Sequence, residues 1–139
     1  MTTWDDLNRR LVGALLALDL DDMLTIGEPA PTPVRTGLLR RRTPSGPRRW
    51  VAATAGQTVL VLEVVGSTSF GGDWAMTPEQ EQALERAGWE RPWSEEMRTW
   101  IRDVPVLDAP RAAVTLVKAL RLLDLDVETL EFALSHEES

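Results

Sequence analysis

Apolar residues at Trp4, Leu7, Leu11, Leu15 and Leu18 recur in steps of three and four, which predicts an amphipathic helix from Trp4 to about Leu18. Thr3 is placed to accept a hydrogen bond from an orphan amide as its N-cap. The short apolar run Met23 to Ile26 fits a strand, and the EPAPTP sequence after it ends any regular element. Arg49 to Thr54 and Thr58 to Val65 are rich in β-branched and small apolar residues and are joined by Ala55-Gly56-Gln57, which predicts a hairpin. In its second strand, Leu60, Leu62 and Val64 occupy one face and Val59, Val61 and Val65 the other. That pattern suits a strand inside a sheet with both faces at least partly covered.

Further along, Thr77-Pro78-Glu79-Gln80 combines an N-cap, a proline at the first helical position and a Gln able to close a capping box. The helix it starts should stop at Ala87, where Gly88 can turn left-handed and Trp89 can fold back on the helix. Ser94 to Val104 fits helix and strand equally well, because Met97, Trp100, Ile101 and Val104 match a helical period while Pro105 and the surrounding tryptophans suit strand and turn. Asp108 is the expected N-cap of a last helix with Ala113, Leu116, Val117, Leu120 and Leu123 on its apolar face and Arg111, Lys118 and Arg121 opposite. Beyond it, residues 124–139 read as an acidic tail in which Val127, Leu130, Phe132 and Leu134 could form a short helix or an edge strand. The expected architecture is a single α+β domain over residues 1–139, with an antiparallel sheet packed by N-terminal and C-terminal helices.

Composition narrows the function more than the elements do. The 139 residues contain no cysteine, which excludes disulfides, thiolate metal sites and a cysteine nucleophile, and suits a reducing, cytoplasmic setting. His136 is the single histidine and stands near the end among Ser135 and Glu137, where it reads as part of the tail and leaves no histidine-based triad. The Gly66 to Gly72 stretch lacks the lysine that a phosphate-binding loop requires. Asp19, Asp21 and Asp22 lack the glycine turn and distal glutamate of a calcium loop and read as a solvated acidic corner. No catalytic residue, cofactor or metal is therefore expected. No apolar run approaches the roughly 20 residues of a membrane span.

The net charge of −7 opposes nucleic-acid binding, yet residues 29–62 carry six arginines and no acid. The Arg/Pro-rich stretch 29–49 reads as an exposed loop whose Arg40, Arg41 and Arg42 are candidates for contact with a partner. Six tryptophans stand out, and Trp74, Trp89, Trp93 and Trp100 cluster in the middle of the chain. They are candidates either for core packing or for an apolar groove that takes a peptide or protein client.

The strings TPEQEQALERAGWERPW, MRTWIRDVP and PRAAVTLVKALRLL, with the opening TTWDDLNRRLVGALLAL and the hairpin RRWVAATAGQTVLVLEVVG, resemble the YbjN-like, type III secretion chaperone-like (TY-Chap) domains. That resemblance implies an antiparallel sheet packed by helices, commonly a homodimer, with a non-catalytic role in holding peptides or secretion substrates. Two other functions fit the charge and the apolar stripe: an immunity or regulatory protein masking a basic toxin, or a purely structural homodimer.

Overall fold

The computed structural model describes residues 2–28, 49–65, 76–92 and 99–136. Helix α1 (Trp4–Leu16) is followed by strands β1 (Asp22–Gly27), β2 (Trp50–Ala55) and β3 (Val59–Val65), then helix α2 (Pro78–Arg86) and strand β4 (Thr99–Pro105). Helix α3 (Ala109–Leu122) and strand β5 (Glu131–His136) complete the chain. The five strands form one antiparallel sheet in the order β4-β3-β2-β1-β5, so the predicted hairpin lies inside the sheet.

Register lines the helix-facing side into apolar rows. Leu24, Ala53 and Leu62 form one row, and Ile26, Val51, Val64 and Trp100 form the next. All seven are buried. The opposite side is only half covered: Met23, Thr25, Thr54, Val61, Glu63 and Ile101 are of intermediate exposure. The second face of β3 is thus partly covered, as its run of valines suggested.

Two helices cover the apolar rows. Leu7, Leu11 and Leu15 of α1 recur every four residues and are at most 2% exposed, each contributing about 1.5–3 kcal/mol by leaving water. Eight residues of α3 are buried, including Ala109, Ala112, Ala113 and Ala119, and this helix packs on α1, on the sheet and on α2. Arg121, expected on the solvent face, lays its guanidinium 5.9 Å from the Trp4 ring centre.

The helix ends show why the sequence cues worked or failed. Thr3 and Asp6 form a reciprocal capping box, and the Thr3 hydroxyl and amide hold the Asp6 carboxylate below its usual pKa. Thr77 and Gln80 do the same for α2. Asp108 does not cap α3. The 3₁₀ turn Val106–Asp108 runs straight into the helix, its backbone at Asp108 is not extended, and the carboxylate pairs with Arg111 at 3.2 Å instead. The ambiguous stretch before it resolves from Thr99 onward as strand.

The segment read as a tail also has structure. A 3₁₀ turn (Val127–Thr129) leads into β5, which pairs along the whole of β1. His136 accordingly sits beside Asp22, Nδ1 to Oδ1 at 2.7 Å. The Asp19 amide and then this histidine lower the Asp22 pKa, so the acidic corner is a hydrogen-bonded turn, with Asp21 at φ 69°. Arg49 ties the other end of the sheet to α3: it pairs with Glu28 at 2.6 Å and donates to the Leu123 carbonyl at 2.7 Å. No helix among the described residues is long and apolar enough to cross a membrane.

Candidate functional site: the groove between α2 and α3

Helix α2 ends in a left-handed cap of the Schellman type. The Gly88 amide bonds the Glu85 carbonyl, the Trp89 amide bonds the Leu84 carbonyl, and Gly88 takes φ 94°. This reversal turns Trp89 back beneath α2, beside buried Leu84. A β-carbon at position 88 would lie 3.4 Å from the Arg102 guanidinium carbon, because Arg102 rises from β4 under the turn and donates to the Ala87 carbonyl. A cation at a helix C-terminus complements both the orphan carbonyls and the helix dipole.

The far end of α2 is clamped separately. Gln80, already part of the capping box, donates its side-chain amide to the Leu122 carbonyl at 2.8 Å and so fixes the start of α2 against the end of α3. Between these two anchors the helices leave an open groove of about 820 Å³, within the range of ligand sites in general. Its α2 wall is Ala83, Leu84 and Ala87, with Trp89 at the base. Its α3 wall presents Val114, Ala119 and Leu122 together with Arg111, Thr115 and Lys118. Val114 is 41% exposed, an apolar side chain left in water, while Trp89 is 5% exposed.

Among the described residues, three cations line the groove, Arg102, Arg111 and Lys118, and no carboxylate, histidine or cysteine does. The Thr115 hydroxyl is spent on the Arg111 carbonyl at 2.8 Å within α3. This lining offers apolar contact and positive charge, and contains no nucleophile activated by a base.

Of the residues singled out from the sequence, Trp89 reaches this groove. Trp100 is 1% exposed and packs in the core opposite Val64, with the Arg91 guanidinium 5.0 Å over its ring. Arg91 in turn bonds Glu81 and Glu85 of α2, and Glu85 above all raises its pKa. Trp74, Trp93, Arg40, Arg41 and Arg42 lie outside the described residues. Arg102, Val114, Lys118 and Leu122 were not among the candidates. The available signal was Val114 and Leu122, two apolar residues four on either side of Lys118 on the helix face read as polar.

A family profile described as T3SS (YopN, CesT) and YbjN peptide-binding chaperone 3, TY-Chap3, matches residues 1–132. The chain belongs to this family. The match runs from α1 to the first two residues of β5, and so takes in the whole groove and strands β1 to β4 of this TY-Chap3 domain. Comparison with curated proteins and with solved structures returned no match. The family description names a peptide-binding chaperone.

Proposed function

We propose that this TY-Chap3 domain holds an apolar segment of a client protein in the α2–α3 groove and performs no chemical step. The observation that carries the reading is the exposed Val114 facing a base of Trp89 and Leu84, in a groove whose walls are fixed at both ends. Preorganised walls spare the ligand the cost of ordering its site. Masking of a basic toxin fits less well, because the groove itself is cationic.

Val114→Glu tests this directly. Because Val114 is already 41% exposed, the change should leave the unfolding free energy from urea titration within about 0.5 kcal/mol of wild type. Binding of a fluorescein-labelled peptide with Leu and Phe anchors should weaken at least about tenfold, or 1.4 kcal/mol. Equal binding by the variant would place the client elsewhere.

A second reading, self-association, has an observation of its own. β5 is the last strand of the sheet, all six of its residues are exposed, and Phe132 and Leu134 remain 50% and 65% exposed on the helix-side face. An antiparallel pair of β5 strands centred on Ala133 sets Phe132 opposite the partner's Leu134 and closes the open edge. Sedimentation should then give a dimer for the wild type and a monomer for Leu134→Lys. A wild type that is monomeric at tens of micromolar would sink this reading and leave the groove untouched.

A further inference from the structure

We infer that the segment seated in the α2–α3 groove is acidic as well as apolar, carrying Asp or Glu on both sides of its anchor. The inference rests on the groove being the binding site, and it follows from where charge lies on this molecule. The protein as a whole is acidic, at −7, and a ligand drawn by its general field would be basic. The groove reverses that sign: among the described residues its lining has three cations and no carboxylate.

These cations are differently committed. Arg111 is partly neutralised by Asp108 across an exposed contact of 3.2 Å. Arg102 gives a donor to the Ala87 carbonyl, which uses part of its fork and none of its charge. Among the described residues, neither Arg102 nor Lys118 has a carboxylate within ion-pair distance, whereas Arg9, Arg49 and Arg91 do. Two uncompensated cations thus border an apolar floor. A neutral ligand would cover that floor and leave the charges unanswered, and a basic one would be repelled.

Spacing sets the ligand's pattern. Arg111 and Lys118 are seven residues apart on α3, which is about 10.5 Å along the axis, with Val114 between them. A ligand that answers Lys118 and the charge Asp108 leaves on Arg111 carries carboxylates a similar distance apart. That is three residues of an extended polyproline-type chain, about 9 Å, or two turns of a helix. Its apolar side chain then falls between them, over Val114 and towards Trp89.

The test uses the full chain and three labelled peptides with one Leu-Phe anchor flanked by Glu, Ser or Lys. At low salt the Glu peptide should bind about tenfold tighter than the Ser peptide and the Lys peptide weakest. The gap should close as salt rises towards 1 M, where screening acts within about 3 Å. Lys118→Glu should weaken the Glu peptide about tenfold, strengthen the Lys peptide and change the Ser peptide least of the three. Equal binding of all three peptides overturns the acidic ligand and leaves the groove as a site. No binding of any peptide at millimolar concentration overturns both. Tighter binding of a long-chain fatty acid than of the Glu peptide, with displacement of that peptide, also overturns the proposal and makes the ligand a lipid.

Discussion

Replacing Trp100 with alanine should cost about 3–5 kcal/mol, a large part of the 5–15 kcal/mol that holds an ordinary domain together. The ring is 1% exposed, lies opposite Val64 in the β3–β4 register and ends the row that continues through Val51 and Ile26. Its loss opens a cavity at the edge of the sheet that the rigid β3–β4 ladder cannot close. It also removes the surface under Arg91, the residue that joins the chain leaving Trp89 to Glu81 and Glu85 of α2. The Glu90–Ile101 bridge on β4's outer edge lies next to that residue, so the damage should spread to the turn that carries Trp89. Urea unfolding followed by circular dichroism should show the midpoint falling by about 1.5–2.5 M, taking a slope near 2 kcal/mol/M. A shift worth less than 0.5 kcal/mol would return Trp100 to the ligand-facing residues. The groove must therefore be tested at Val114 and Lys118, whose changes do not disturb the core.

Local chemistry was legible along most of this chain. The two capping boxes, the left-handed Gly88 and the hairpin are each written in neighbouring residues, and a neighbouring-residue rule finds them. Strand β4 stayed undecided between helix and strand because its alternation is broken by Arg102, a charge at a helix-facing position between Trp100 and Val104. That charge makes sense only once α2 has ended above it with carbonyls to satisfy, a contact fifteen residues away in sequence. β5 was half legible for a related reason. Phe132, Leu134 and His136 alternate, but without β1 beside them nothing separates an edge strand from an acidic tail. The groove escaped most completely. It is made by the separation of two helices, and the sequence shows only its symptom, Val114 and Leu122 among charges.

Least visible of all was the part played by alanine, and here the second large effect is expected. Strand β2 carries Ala53 and Ala55 on its helix-facing side, both buried, although alanine is a poor strand former. Ala109, Ala112, Ala113 and Ala119 of α3 are at most 2% exposed. Small side chains on both layers let α3 lie close to the middle of the sheet, which in turn brings its other face within reach of α2 and sets the groove's width. Ala53→Leu should therefore cost at least the 1–3 kcal/mol typical of overpacking, because Leu24 and Leu62 flank the site in register and leave the longer chain nowhere to turn. The same change at exposed Ala133 of β5 should stay within about 0.5 kcal/mol. Ala53→Leu combined with Leu62→Ala should recover part of the loss, since the pair restores core volume, with a coupling of about 0.5–3 kcal/mol between contacting sites. If Ala53→Leu alone is neutral by urea titration, α3 has slack above β2, and the alanines do not set the distance on which the groove depends.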